Sequence, residues 1–401
     1  MRMTRRRVMA VGCSIGLLLG PLGVAGPAQA QDPPAKPVTV MTRNIYLGAD
    51  INRPVEAALR GAAQPGANQL TIVTALANAT QVTRAIVDRT DFAVRGRLLA
   101  DEIVDARPDL IGLQEVALWR HGPLQLNQVG VPNAGTVDYD FLQILLDELA
   151  ERGTPYVAAS IANRADVESP SFTGSIAVPG GNPRDIRLTM RDVVLMRASS
   201  SLTTLDEGQD IYDVNLQVGV AGVDFDFDRG YQWVDVRAGA QRFRFVNTHL
   251  EAFSSDIALA QANELVTEAT SPNRSTVFVC DCNSDPVNSS IKPIDHVPHK
   301  APYELITGAG GYTDLWKDSG RPADLPGFDA GDTSGLNETV DEAAPGSWTH
   351  RIDMVFGRTA DGDALTTDRG QVTGRDGDPR DPTTGLWPSD HAGVVMRVRG
   401  L

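Results

Sequence analysis

The sequence predicts an α/β protein. Strand-like and helix-like segments alternate along it, no break in composition separates two domains, and no unit repeats at a fixed period. A length of 401 residues admits one large domain or two ordinary ones, and 42% hydrophobic with 22% charged residues is the balance of a chain with a sizeable core. The continuous alternation favours one domain, over residues 38–401.

The N-terminus is expected to be removed. Arg2, Arg5, Arg6 and Arg7 precede an apolar run over residues 8–24, and Ala28-Gln29-Ala30 offers the small residues a signal peptidase needs. Thr4-Arg5-Arg6-Arg7 also fits a twin-arginine signal loosely. The apolar run is too short and glycine-rich for a membrane span, and Cys13 lies inside it rather than at its end, which argues against a lipid anchor. Residues 31–37 form a proline-containing linker. No transmembrane segment is expected in the mature chain, which reads as a monomer.

Val38-Thr39-Val40-Met41 is rich in β-branched residues and reads as the first strand. Residues 95–106 carry Leu98, Leu99, Ile103 and Val104 close to helical spacing and stop at Arg107-Pro108, since the residue before proline avoids helical geometry. Asp109-Leu110-Ile111-Gly112-Leu113 is the next strand. Residues 141–152 place Phe141, Leu142, Leu145, Leu146 and Leu149 on one helical face, closed by Gly153. Residues 231–237 and 242–248 alternate apolar and polar around Ala238-Gly239-Ala240, a hairpin signal. Residues 256–268 form a helix capped by Ser254 or Ser255. Val277-Phe278-Val279 reads as a buried strand, and strands over 352–356 and 392–398 complete the set. Residues 61–68 and 321–345, rich in glycine, alanine, proline or acidic residues, read as surface loops of the kind that borders a cleft.

Composition narrows the function. Processing removes four arginines and takes the net charge from −15 to about −19. Such a chain is repelled by nucleic-acid backbones unless a local basic groove compensates. Cys280 and Cys282 remain. Two apart on an apparent strand, they share a face and are poorly placed to bridge, so they read as two buried thiols.

A pattern of strand ends carries the chemistry. VTVMTRN ends at Asn44, DLIGLQE at Glu115, RFRFVNTH at His249, and STVFVCDCN at Asp281 and Asn283. Asp353 lies in RIDMVF, and Ser389-Asp390-His391 stands before the last strand. A single polar strand end is ordinary, but α/β folds gather functional residues at one edge of a sheet, and six such sites point to one. Carboxylates and amide oxygens suit magnesium, manganese or calcium better than zinc. Histidines beside carboxylates suit proton transfer near neutral pH. His296 and His299, beside Asp295, form a weaker candidate metal pair. Arg43, Arg191, Arg229 and Arg351 lie near strand ends within reach of a phosphate. Tyr312, Trp316 and Trp348 read as core, with a cleft wall as the alternative.

These motifs, in this order, resemble the endonuclease/exonuclease/phosphatase superfamily over nearly the whole mature chain. TRNIYLGAD resembles its first motif, LIGLQEV the one whose glutamate binds metal, and VNTHLEA the one with its first catalytic histidine. CDCNSDP stands for G-D-F-N, with Cys280 and Cys282 in place of glycine and phenylalanine. The resemblance implies a four-layer sandwich of two central mixed β-sheets flanked by helices. It implies that Asn44, Glu115 and Asp390 hold Mg2+, or Mn2+ or Ca2+. Asp281 would activate water, Asn283 and His249 would hydrogen-bond the phosphoryl oxygens, and His391, oriented by Asp353, would stabilise the transition state or protonate the leaving group. The expected activity is hydrolysis of a phosphate ester, with phospholipid headgroups or small esters ahead of nucleic acid. A secreted nuclease and a non-catalytic binding protein on the same scaffold are the alternatives.

Overall fold

The structure, a computed structural model, describes residues 36–220, 223–271, 273–320, 330–342 and 347–401. The expected signal segment and most of the linker lie outside the described residues. The first half runs β1 (Val38–Asn44), α1 (Asn52–Ala62), α2 (Gln69–Arg89), α3 (Phe92–Ala106), β2 (Leu110–Gln114) and β3 (Leu118–Pro123). It continues through β4 (Thr136–Asp140), α4 (Phe141–Glu151), β5 (Tyr156–Ser175) and β6 (Val178–Arg197). The second half begins β7 (Leu202–Ile211), β8 (Leu216–Val220), β9 (Val223–Phe227), β10 (Gly230–Ala238), β11 (Gln241–His249) and α5 (Ser255–Glu264). After a π-helical turn, Leu265–Ala269, come β12 (Ser275–Asp281), α6 (Ala301–Thr307), β13 (Thr313–Asp314) and α7 (Leu315–Asp318). The last strands are β14 (Asp353–Arg358), β15 (Thr366–Thr373) and β16 (Gly393–Arg399).

Two mixed sheets form the centre. One has the order β15-β16-β1-β2-β6-β3-β4, with β5 paired to β6; the other has the order β13-β14-β12-β11-β10-β7. Each contains one parallel pair, β1 with β2 and β11 with β12. Strands β8 and β9 form a separate ribbon.

Alternation along the strands builds the layers, because successive side chains point to opposite faces. Val38, Val40 and Leu110 of the first sheet meet Phe243, Phe245, Val277, Val279 and Val355 of the second in one buried cluster. Met41, Ile111 and Leu113 face the other way and pack on Phe92, Leu99 and Ile103 of α3 and Leu145 of α4. Behind the second sheet, Val246, Phe278 and Phe356 pack on Ala258 and Ala262 of α5 and Ile306 of α6. The result is the expected order of helix, sheet, sheet, helix.

Several expected elements sit where the pattern put them. Asp91 caps α3 through the amides of Ala93 and Val94, and the helix ends at Arg107 in left-handed geometry. Ser254 caps α5 by accepting from the Ile257 amide. Helices α1 and α2 were not expected. Residues 61–68 mostly connect them, and Asn68 caps α2 by accepting from the Thr71 amide. Among the described residues α2 alone is long and apolar enough to cross a membrane; here it packs on α1 and β5. The long β5–β6 hairpin was also unexpected. Its register shifts between Ala158 and Ser160, between Asn163 and Ala165, and between Ser171 and Thr173, which breaks the period-two pattern.

The stretch expected as a surface loop over 321–345 is corrected only in places: in its described part Gly335 and Asn337 are exposed, but other residues are not. Thr333 and Val340 are fully buried, and the Ala392 amide donates to Thr333 O at 2.7 Å. That part is packed against the strands that carry the site.

Gly112 of β2 marks the closest approach of the sheets. A Cβ there would lie 2.5 Å from Asn247 Oδ1 and nearer still to Val279. Overpacking of this kind costs about 1–3 kcal/mol or more. Gly112→Ala is therefore expected to lower unfolding free energy by about that amount in urea titration, whereas Gly135→Ala, at an exposed position where a Cβ meets nothing, is not.

Candidate active site

The site lies where the inter-sheet face changes from apolar to polar. Along β12 that face reads Val277, Val279, Asp281, and along β11 it reads Phe243, Phe245, Asn247, His249. Register aligns the ends: His249 is opposite Asp281 in the parallel pair, and Asp281 is opposite Asp353 in the antiparallel pair. Three functional candidates thus stand in a row on neighbouring strands of one sheet. The other sheet supplies Asn44 at the end of β1, Glu115 just past β2, and Asp390 and His391 just before β16. Glu115 and Asn283 have positive φ, 60° and 43°, a conformation that asparagine tolerates and glutamate rarely adopts, so backbone strain is held at Glu115.

Hydrogen bonds fix the orientation of each group. Asn44 Nδ2 donates to Asp281 Oδ2 at 2.9 Å, and the Asn283 amide donates to Asp281 Oδ1 at 3.2 Å. Asn44 Oδ1 accepts from the Tyr46 amide at 2.9 Å, so both ends of the Asn44 side chain are engaged. Glu115 Oε2 accepts from the Leu47 amide at 2.9 Å. His391 Nδ1 lies 2.8 Å from Asp353 Oδ2, a pairing that turns Nε2 away from Asp353. His249 Nε2 is 3.4 Å from Asp281 Oδ2, and on its other side Arg229 Nη1 is 2.8 Å from Nδ1. Arg229 has only donors, so Nδ1 must accept and the proton of a neutral His249 resides on Nε2.

Electrostatics separates the two histidines. Burial, then the positive charges of Arg229 and His391, hold His249 well below its ordinary pKa, which keeps it neutral. Burial opposes charge on His391 too, but Asp353, Asp281 and Asp390 outweigh it and push its pKa well above the ordinary value. Asp281 is pushed up to about 7, chiefly by burial, with His391 opposing and Asp353 adding to the rise. Burial also raises Asp390 to about 6, against His391 and with Glu115.

These residues open into a cleft of about 250 Å³. Glu115, His249, Asp281, Asn283, Asp390 and His391 line it, while Asn44 and Asp353 stand one layer behind and orient what does. The donor set fits a hard divalent cation. Two groups among the described residues have ligand atoms close enough to hold a metal, Glu115 with His249 and Asp281, and Asp281 with Asp353 and His391. Neither group includes His296 or His299. His296 pairs with Asp256 at 2.6 Å, and His299 accepts from the Asp285 amide at 3.0 Å.

Of the four arginines near strand ends, only Arg229 lines the cleft. Arg43 holds Glu102 and the His391 carbonyl, Arg191 holds Asp140, and Arg351 holds Asp314. Tyr312, Trp316 and Trp348 are buried in the core, as their first reading had it. Tyr46, Phe227, Phe253 and Glu338 also line the cleft. Tyr46 belongs to the first motif, Phe227 ends β9, and Phe253 and Glu338 sit in loops, none of these three with a distinguishing pattern.

The expectation of two free thiols is overturned, because Cys280 and Cys282 form a disulfide. The inference from an extended strand failed at its end. At Asp281, the last residue of β12, the chain is contracted, and the flanking Cα atoms come to 5.0 Å, short of the roughly 6.5 Å of an extended strand and within bridging range. Both sulfurs face the helix layer, away from Asp281, as alternation required.

No protein-family model and no curated protein matches the sequence. Solved structures do match. The fold is similar to that of an endonuclease/exonuclease/phosphatase family protein from Leptotrichia buccalis, at TM-score 0.51 and 13% identity over 90% of this chain and 100% of that one. Proteins described by the same superfamily name from Beutenbergia cavernae (TM-score 0.49, 19% identity, 91% and 72% covered) and Bacteroides vulgatus (0.49, 17%, 91% and 99%) are also similar. The chain has the endonuclease/exonuclease/phosphatase fold.

Two outcomes follow from the geometry. Arg229→Met frees His249 Nδ1, so nitrogen NMR of the imidazoles should show the single Nε2–H tautomer of the native protein replaced by a mixture. Asp390 has a pKa raised above its unfolded value, so folding favours its protonated form and the contribution is lost as pH rises from about 4 through about 6. In the presence of EDTA, Asp390→Asn should therefore be more stable than the native chain at pH 7 and show a shallower loss between those pH values in denaturant titrations.

Proposed function

We propose that the chain is an exported, divalent-metal-dependent phosphodiesterase acting on lipid headgroups or small phosphate esters. The observation that carries the hydrolase reading is the convergence, in one cleft, of an oriented aspartate, a neutral histidine fixed as a donor and a charged histidine backed by a second aspartate. Glu115 and Asp390, with Asn44 behind them, would hold the cation. When bound, it would withdraw charge from the phosphoryl oxygens.

The chain's own residues divide the remaining work. Asp281, held between Asn44 and the Asn283 amide, accepts the proton of the attacking water. His249 donates Nε2–H to a phosphoryl oxygen, and because it stays neutral it does so without adding charge. His391 carries a proton at Nε2 that passes to the leaving oxygen as the P–O bond opposite the water breaks. Asp353 supports that charge and fixes the ring.

Support for export comes from the N-terminal arginines and apolar run, and from the Cys280–Cys282 bond, a type of link that persists in oxidising compartments. Support for a small or lipid ester over nucleic acid comes from charge. Arg229 is the only lysine or arginine among the described cleft-lining residues, and it is engaged with His249. A backbone-tracking groove needs several cations.

The test assays the purified mature chain with magnesium, manganese or calcium against sphingomyelin, phosphatidylcholine, plasmid DNA and bis-p-nitrophenyl phosphate. Turnover of the small diester and a lipid is expected, stopped by EDTA. His391→Ala should lower kcat by about 10²–10⁴, and Asp281→Ala by at least as much, with unchanged circular dichroism. Full activity in a folded Asp281→Ala variant overturns the assignment, and rapid DNA cleavage without lipid turnover reverses the order of substrates.

A further inference from the structure

A second pocket adjoins the cleft on the outer face of the first sheet. It encloses a cavity of about 50 Å³ between helices α1 and α2 and strands β3, β5 and β6. Val55, Leu76, Val167 and Leu188 line it, and Ile51 and Phe227 line both it and the cleft, so the two spaces meet at these side chains. Its principal polar groups already have partners. Thr80 Oγ1 donates to Leu76 O at 2.9 Å and pairs with Ser169 Oγ at 2.8 Å. Glu168 Oε2 accepts from the Asn133 and Ala134 amides, each at 2.7 Å. Arg84 is paired with Asp88 and Asp138 through its terminal nitrogens, which leaves its Nε as the one unpartnered donor among these groups. Water in this space would find few hydrogen bonds, whereas a hydrocarbon group would lose none.

We propose that this pocket is a subsite for the hydrocarbon chain of the phosphate ester whose phosphoryl group lies in the cleft. The inference rests on the phosphodiesterase reading and deepens it, because it assigns chain preference to residues that take no part in the chemistry. The two side chains shared with the cleft name the occupant: an apolar group on an ester held beside Asp281 and His391 reaches the pocket across Ile51 and Phe227. A bulky polar or charged substituent would have to break the Thr80–Ser169 or Glu168 contacts to enter.

The test uses the mature chain and a series of p-nitrophenyl alkyl phosphates running from methyl to hexyl, followed by release of p-nitrophenol. In the native protein kcat/KM should rise about threefold for each methylene that enters the pocket. Val55→Trp and Leu76→Phe fill the space from α1 and α2 without touching the cleft. Either should flatten the rise to less than about twofold over the whole series while methyl p-nitrophenyl phosphate turns over as in the native protein. Circular dichroism and thermal melting confirm that each variant is folded, and the partly exposed Val55 site serves if Leu76→Phe is not. A flat profile in the native protein, or a rise that survives in a folded filled variant, overturns the subsite and leaves the phosphodiesterase reading standing. Failure to hydrolyse any member of the series overturns both.

Discussion

Where β2 passes the second sheet, Gly112 has no side chain, and Asn247 occupies the space. Its amide nitrogen donates to Leu113 O at 2.9 Å, and its oxygen accepts from Gln114 Nε2 at 2.7 Å. These bonds cross from one sheet to the other at the depth where valines and phenylalanines give way to polar residues. Buried polar groups tolerate little displacement, because a slipped partner leaves a donor or acceptor unpaired. The contact therefore sets how the sheets sit against each other. Two residues beyond Asn247 lies His249, and one residue beyond Gln114 lies Glu115. A shift of the sheets at Gly112 would carry these groups apart.

The same constraint explains why the chemistry needs so many supports. Groups from both sheets must agree on one position, and strand ends fray more readily than strand middles. Ser389 Oγ ties the loop before β16 to Asn44 O at 2.8 Å, and Arg43 binds the His391 carbonyl from behind. Asn44 then reaches across to Asp281 of the other sheet. Most of the residues involved are buried and touch other protein groups rather than the cleft, so the positioning network is larger than the reactive set.

Much of this was legible in the sequence, for a physical reason. A strand whose inward face runs apolar and then turns polar advertises where it stops being core, and β1, β2, β11 and β12 all do so. The helices α3 and α4 carry clear stripes and stops. Residues whose patterns are mixed were not legible. Helix α2 spreads alanine and threonine around its circumference and shows no apolar stripe, and the β5–β6 hairpin is interrupted by bulges, prolines and glycines. The disulfide was not legible because the strand reads as fully extended through Asp281, where the chain is in fact contracted. Arg229 was visible only as one of four arginines, since nothing local says which of them reaches His249.

Arg95, in the first turns of α3, has no exposed surface. Its guanidinium donates to the carbonyls of Thr90, Ile45, Tyr46 and Pro388, at 2.7, 2.8, 3.0 and 3.1 Å. One side chain thereby clasps the loop after β1 and the loop before β16. Opening either loop strands a buried cation among unpaired carbonyls, so the two cannot loosen one at a time at low cost. The floor of the cleft is thus a single cooperative unit, and amide exchange around Tyr46 and Asp390 would proceed through one shared opening event rather than by independent flicker of two surface loops.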